Sequence, residues 1–343
     1  MALWKVESVA RLKEPNLEVG ALALSEDGMQ LAAIAARELY LGLLGPSGFA
    51  SPLLPTGLRT EQTSEHIEAM VRGVPETVSW RDRSVAHLIR WTPDGAALWI
   101  ATEQAMVLYD VAGAILRSLP KRIRVGAIAL APNGDLVLGI GSVVSRIESE
   151  RGDIRRKLTG HSAQTRELVA DSDMRGRFAT YRLDVTAVDV ASDGRLLSGS
   201  DDGTVRLWPA TDSEAARVFE VKAAVLDVAF LDERRAVIAT HRGRVFAVDL
   251  ETQKRLWIDG EQDSAPRVSA LALSKGRRFL AVARQGEAAV QILDTATGAP
   301  VALVPLPEGS RTATSLCWRG DSSRLLLGTQ DGRVALCSAP GGA

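Results

Sequence analysis

The sequence predicts an all-β protein, a seven-bladed β-propeller that is closed by the N-terminal strand and carries two insertions on its top face. Three observations predict this fold. A turn motif recurs seven times, a third apolar run follows it at intervals that are mostly near 40 residues, and the last repeat lacks a fourth strand. Repeats of about 40 residues, each with four short strands, are typical of propeller blades.

Each repeat opens with two apolar runs joined by a polar turn, most clearly in the unit from Val185 to Trp208. Four of the turns contain Asp-Gly or Asn-Gly, and these residues tolerate the positive φ that a tight hairpin turn requires. Each repeat is therefore predicted to begin with an antiparallel hairpin. The seven turns lie at residues 25–28, 92–95, 131–134, 192–194, 232–235, 274–276 and 320–323.

The start of the third apolar run gives the period of the repeat. Successive starts are 68, 37, 61, 40, 45 and 44 residues apart, at Leu39, Val107, Val144, Val205, Val245, Val290 and Val334. Four intervals match one blade, and the two long intervals predict insertions at residues 56–84 and 162–183. We expect one domain over residues 1–343, with blades at about 19–55, 86–120, 125–160, 185–220, 225–260, 268–306 and 314–338.

The seventh repeat ends after its third run, so its fourth strand must come from elsewhere. An open ring would expose unpaired sheet edges, which promote aggregation. An apolar segment at residues 3–12 precedes the first repeat and is not used by it. We therefore predict that this segment completes the seventh blade.

One unit carries a family resemblance. Residues 196–208 read Leu-Leu-Ser-Gly-Ser-Asp-Asp-Gly-Thr-Val-Arg-Leu-Trp, and with Gly160-His161 upstream they resemble a WD repeat. The resemblance implies a propeller scaffold and, in this blade, a buried hydrogen-bond network of His161, Ser198, Asp201 or Asp202, and Trp208. Residues 245–257 resemble the blade motif of quinoprotein-like propellers, which implies the same architecture. The other repeats depart from the WD pattern, so we expect apolar packing to hold them.

The two insertions are predicted to decorate one face. In the first, Ile67, Met70, Val71 and Val74 follow helical spacing and predict one short amphipathic helix, either packed on the propeller or forming a partner groove or lid. The second is expected to be a solvated or protein-contacting loop. It combines arginines with aromatic residues, a composition enriched at interface hot spots, and nearby acids offset its charge.

Composition argues against several classes of function. The chain has 41 basic and 42 acidic side chains, whereas proteins that wrap nucleic acid or dock on anionic membranes usually carry a cationic excess. No apolar run is long enough to predict a spanning helix, and residues 1–14 lack the pattern of a signal peptide. The two cysteines, Cys317 and Cys337, fit a reducing cytoplasm.

The sequence contains no motif for metal, cofactor or nucleophilic chemistry. Its histidines, at positions 66, 87, 161 and 241, are dispersed over the repeat. We therefore expect no metal, no cofactor and no enzymatic activity. One alternative stays open: His87, Asp189 and Asp227 lie on predicted first strands, which would suit an enzyme or a small-molecule-binding propeller with a site in the central channel.

These observations predict a non-catalytic, cytoplasmic scaffold that mediates protein-protein interaction within a complex. A subunit of an obligate assembly, unstable alone, is a further alternative. We expect the partner to contact the insertions and the turns between second and third strands, because large and charged side chains collect there. The predicted partner-binding residues are Trp80, Glu103, Arg177, Phe178, Tyr181, Arg182, Asp202, Arg242, Gln285 and Asp331.

Overall fold

The structure is a computed structural model, and all of the regular elements that it describes are β-strands. Seven sheets contain four main strands each, and they form the blades of a seven-bladed β-propeller. The predicted all-β fold is therefore confirmed. The structure describes residues 2–12, 18–35, 38–46, 48–59, 89–101, 106–111, 115–119, 125–168, 178–211, 216–260, 265–320 and 322–340.

The strands of the first three blades, and of a hairpin that follows them, are numbered along the chain. Blade 1 contains β3 (Val19–Leu24), β4 (Gln30–Ala35), β5 (Glu38–Gly45) and β7 (Leu54–Arg59), and the short β6 (Gly48–Phe49) also pairs with β5. Blade 2 contains β8 (Ile89–Trp91), β9 (Ala97–Ala101), β10 (Met106–Asp110) and β11 (Ile115–Leu119). Blade 3 contains β12 (Val125–Leu130), β13 (Leu136–Ile140), β14 (Val143–Ile147) and β15 (Ile154–Thr159), and the hairpin contains β16 (Gln164–Leu168) and β17 (Phe178–Arg182).

The other four blades repeat the same order. Blade 4 contains β18 (Val185–Val190), β19 (Leu196–Ser200), β20 (Thr204–Trp208) and β21 (Arg217–Glu220), and blade 5 contains β22 (Val225–Phe230), β23 (Arg235–Thr240), β24 (Val245–Asp249) and β25 (Arg255–Asp259). Blade 6 contains β26 (Val268–Leu273), β27 (Phe279–Arg284), β28 (Ala289–Asp294) and β29 (Pro300–Pro305), and blade 7 contains β30 (Ala313–Arg319), β31 (Arg324–Thr329), β32 (Arg333–Ser338) and β2 (Lys5–Arg11). β1 (Ala2–Leu3) pairs in parallel with β29.

The chain divides into two compact units. Unit 1 consists of Met1–Ile123, Gly243–Ala247 and Arg255–Ala343, and unit 2 consists of Arg124–Arg242 and Val248–Lys254. The single domain stays a prediction.

Within each unit, side-chain hydroxyls connect the first strands of neighbouring blades. In unit 2, Thr186 Oγ1 donates to the Val225 carbonyl at 2.7 Å. In unit 1, Ser269 Oγ donates to the carbonyl of Ala313 at 2.6 Å. Thr314 Oγ1 donates in the same way to the Val19 carbonyl at 2.8 Å, which joins blade 7 to blade 1. Each bond satisfies a polar group that the packing removes from water.

A second set of contacts uses the far ends of the first strands. In unit 1 the indole of Trp318 donates to the carbonyl of Ala272 at 2.9 Å, and the indole of Trp91 donates to that of Ala23 at 3.1 Å. First strands lie close enough that small residues are required: in unit 2, a Cβ on Gly126 of β12 would overlap the carbonyl oxygen of Val185 in β18. Neighbouring first strands therefore pack closely, and the indole groups at their ends bond to buried carbonyls.

The N-terminal strand completes blade 7, as the leftover apolar segment predicts. β2 pairs antiparallel with β32, and Val9 lies opposite Ala335. Just before it, the buried Trp4 packs edge-on against Trp318, with ring centroids 5.8 Å apart. The N-terminal segment thus contributes both a strand and a large side chain to the core of unit 1.

The two predicted insertions have different outcomes. In the first, β7 continues to Arg59, so the fourth strand of blade 1 extends beyond the predicted boundary at residue 56. The helix predicted from Ile67 to Val74 lies outside the described residues. The second insertion contains the β16–β17 hairpin rather than only a loop. Its β-branched and aromatic residues, such as Thr165, Phe178 and Tyr181, favour strands and explain the difference.

We expect Trp4→Ala to destabilise the protein much more than Val9→Ala does. Removing the buried indole leaves a cavity against Trp318 and costs about 3–5 kcal/mol, whereas the Val9 side chain is exposed and its truncation costs about 0.5 kcal/mol. Urea unfolding of both variants measures the difference. Equal losses of stability would mean that the N-terminal segment is not part of the core.

Candidate partner-binding site

A buried polar network lies at one end of blade 4. The ring of His161 contacts Ser198 Oγ through Nε2 at 2.8 Å and Asp202 Oδ2 through Nδ1 at 3.0 Å. Trp208 Nε1 donates to the same Ser198 oxygen at 2.8 Å. The His161 side chain has no exposed surface. The structure thus brings together His161, Ser198, Asp202 and Trp208, and it selects Asp202 rather than Asp201.

The carboxylate of Asp202 is fully used by this network. Besides the His161 contact, Oδ1 accepts from the Thr204 hydroxyl at 2.7 Å and from the Thr204 amide at 2.9 Å. Burial raises the pKa of Asp202, but hydrogen bonds from His161, from Thr204 and from the Ser162 amide outweigh burial and hold the pKa well below its ordinary value. Asp202 is therefore ionised at neutral pH.

The same network supports the base of the β16–β17 hairpin. The Ser162 amide, two residues before the hairpin, donates to Asp202 Oδ2 at 2.9 Å. The Leu183 amide donates to the Ala163 carbonyl at 3.0 Å and closes the base. An isolated two-stranded hairpin is marginally stable in water. Attachment to a buried carboxylate therefore fixes where the hairpin leaves blade 4.

The family comparison falls on this blade. The family model WD40, described as WD domain, G-beta repeat, matches residues 176–209, which cover β17 to β20. Seven four-stranded blades accompany that match. Together, the repeat match and the seven blades support a WD-repeat β-propeller family. WD-repeat propellers are generally protein-interaction scaffolds and are typically non-catalytic. No curated protein matches the chain.

In the other six blades, an apolar residue stands where blade 4 has the serine of this network. Strand registers place six buried residues at the position of Ser198, and each has at most 1% of its surface exposed: Ala33, Trp99, Leu138, Ile238, Val282 and Leu327. Without the serine, the histidine would leave a buried polar group unsatisfied. The expectation that apolar packing holds these blades agrees with this pattern.

Blades 6 and 7 have other polar contacts near the same end. Asp331 accepts from Ser310 Oγ at 2.9 Å and pairs with Arg333 Nε at 3.0 Å. In blade 6 the buried Arg284 forms an ion pair with Asp259 and donates to Gln291 Oε1 at 3.0 Å. These pairs follow no repeated sequence pattern, because each occurs once.

The predicted partner-binding residues lie in different environments. Arg182, Arg242 and Gln285 are exposed, and Asp331 is partly buried by its own contacts. Asp202 is turned into the network, with 5% of its side chain exposed, and its role as a partner contact stays a prediction. Phe178 and Tyr181 lie on β17. Three others lie outside the described residues: Trp80, Glu103 and Arg177.

Two acidic residues that favoured a channel site are used by the backbone. Asp189 accepts from the Phe230 amide at 2.8 Å through Oδ2 and from the Val190 amide at 2.8 Å through Oδ1. Asp227 Oδ1 accepts from the Val228 amide at 2.8 Å. His87, the third group of that alternative, lies outside the described residues. Both carboxylates therefore have structural contacts within unit 2.

Other features that bear on chemistry are few. Burial raises the pKa of the Cys317 thiol to about 11 and that of Cys337 to about 12, which disfavours a reactive thiolate. Among the described residues, no group of three or more histidine, cysteine or acidic side chains is arranged to hold a metal ion. In that same part of the chain, no helix is long and apolar enough to cross a membrane.

Sequence reasoning missed two members of the blade 4 network. Thr204 bridges the Asp202 carboxylate and lies 3.1 Å from His161 Nδ1, and the Ser162 amide completes the Asp202 contacts. The Thr204 contact has a sequence signal. In turns, an Asp side chain often accepts from the backbone amide two residues later, and Thr204 stands two residues after Asp202. The Ser162 amide has none.

We expect His161→Ala and Ser198→Ala to be strongly coupled. Each single substitution leaves a buried polar partner unsatisfied and costs about 1–3 kcal/mol of unfolding free energy. The double variant removes both partners of one bond, so it should cost less than the sum by at least about 0.5 kcal/mol. Urea unfolding of the four proteins measures the coupling. Additive losses would contradict the network.

Proposed function

We propose that this WD-repeat propeller is a non-catalytic, cytoplasmic scaffold that binds a protein partner within a complex. The observation that carries the proposal is the β16–β17 hairpin. It is an insertion in the most regular blade, it pairs only with itself among the described residues, and its base is attached to the buried Asp202 carboxylate. A blade that presents a hairpin whose strands pair with no other strand is suited to recognition rather than to a reaction.

Two further observations support this proposal. The insertion is the site of Phe178, Tyr181 and Arg182, which are residue types enriched at interface hot spots. The described acids that would suit a channel enzyme, Asp189 and Asp227, are held by backbone amides. Both cysteines are free, Cys337 buried and Cys317 partly buried, which agrees with a reducing compartment.

Replacing residues 164–182 with a short Gly-Ser loop should abolish capture of the partner and leave the propeller folded. The network that anchors the hairpin stays intact, because it uses residues outside the replaced segment. Affinity purification of the tagged protein from its native host, followed by mass spectrometry, measures recovery against the unmodified chain. A matched control replaces residues 149–152, the turn between β14 and β15, with the same loop.

The two variants separate binding from folding. Loss of the same proteins with the hairpin variant alone is the expected result. Unchanged recovery with the hairpin variant would contradict the proposed role of the insertion. Equal loss with both variants, at an unchanged melting temperature, would place the contact elsewhere on the chain.

A further inference from the structure

Three exposed cations lie at one end of unit 2. Arg182 ends β17, Lys222 lies in the connection between β21 and β22, and Arg242 lies in the turn after β23. All three are at the end of blades 4 and 5 where the first strands begin. We call them the basic rim.

Backbone hydrogen bonds fix the segments that carry the basic rim. The Asp201 amide donates to the Asp184 carbonyl at 3.0 Å, which ties the turn of blade 4 to the segment after Arg182. The Lys222 amide donates to the Gly203 carbonyl at 3.2 Å. The His241 amide donates to the Ala224 carbonyl at 3.0 Å, next to Arg242. The three cations are therefore presented by anchored turns.

The position of Arg242 explains why it faces solvent. It stands three residues before Val245, as Asp202 stands three residues before Val205. In blade 4 that position is drawn inward by His161. Lys222 follows the fourth strand of blade 4 by two residues, as His161 follows that of blade 3, so blade 5 has no histidine there. Its turn therefore carries an exposed arginine in place of a buried carboxylate.

The carboxylates near the basic rim differ in exposure. Asp202 keeps its negative charge but is turned into the network, Asp201 accepts from the Asp184 amide, and Asp184 is buried. Glu220 is exposed at this end. Within the described part of the chain, none of the three cations forms an ion pair with it or with any other carboxylate.

The opposite end of unit 2 is different. Five arginines there pair with carboxylates at 2.6–3.0 Å, and they are Arg146, Arg155, Arg195, Arg234 and Arg235. Unlike these arginines, the three cations of the basic rim are exposed without an ion pair among the described residues, on a chain whose formal charge is −1. A local cationic surface on a nearly neutral protein attracts a partner of opposite charge.

We propose that the basic rim binds an acidic peptide segment of the partner protein. This rests on the proposed function and names the partner's chemistry. A peptide is favoured over nucleic acid for two reasons. Three cations match a short run of carboxylates better than a long phosphate backbone. Single-stranded nucleic acid also needs aromatic side chains for stacking, and the three residues of the basic rim include none.

A labelled oligoglutamate peptide tests the proposal on the full chain by fluorescence anisotropy. We expect binding that weakens as salt rises, because exposed charges are screened. Arg182→Glu/Arg242→Glu should weaken binding at least about tenfold. The matched control is Arg151→Glu/Lys254→Glu, which changes the net charge equally at exposed turns on the other end of unit 2. Arg182→Lys/Arg242→Lys should retain binding.

The outcomes are distinct. Selective loss with the rim variant, at an unchanged melting temperature, supports the proposal. Equal affinity of the rim and control variants overturns it, since only net charge would then matter. Tighter, rim-dependent binding of an oligonucleotide also overturns it. Partner capture that needs the hairpin but survives the rim variant would retain the scaffold function and reject the acidic peptide.

Discussion

The structure depends on how closely the first strands of neighbouring blades approach one another. Small residues permit the approach, and hydroxyls such as those of Thr186 and Thr314 satisfy carbonyls that it buries. A buried carbonyl without a partner costs about 1–3 kcal/mol, so each such bond removes a penalty that packing would otherwise impose. Asp189 has a similar role, because its carboxylate accepts a hydrogen bond from a backbone amide of the next blade. These polar residues on first strands thus make structural contacts between neighbouring blades.

Polar side chains that are used inside a blade are not available at its surface. In blade 4 the histidine, serine, threonine and aspartate all point inward, and the aspartate also holds the base of a hairpin. The exposed cations Arg182, Lys222 and Arg242 lie at the same end of unit 2 as the base of that hairpin. The network that stabilises blade 4 therefore also determines where the hairpin begins.

The fold could be predicted because its signals are local and repeated. Turn motifs and apolar runs place every blade, and β32 begins at Arg333, one residue before the predicted start. The blade 4 network could be predicted from a short motif even though an insertion follows His161. The insertion does not disturb it because the chain leaves and re-enters at one point, where the Leu183 amide meets the Ala163 carbonyl.

Other features could not be predicted, because they depend on contacts distant in sequence. The ion pair of Arg284 with Asp259 joins two blades, and neither residue belongs to a repeated pattern. The hydroxyl bonds between first strands had a signal, a Ser or Thr at the second residue of β18, β26 and β30. That signal has meaning only once the neighbouring strand is known. The hairpin was missed because charge and aromatic content dominated the interpretation of residues 162–183.

Amide hydrogen exchange of the full chain with and without the oligoglutamate peptide separates the internal polar contacts from the binding surface. We expect slow exchange in the first strands of unit 2 in both states, and new protection on binding at residues 182–184, 201–203, 222–224 and 241–242. Turns at the opposite end, residues 191–194 and 231–235, should not change. New protection at those turns, or in the first strands, would contradict the claim that internal polar groups hold the blades while the rim binds.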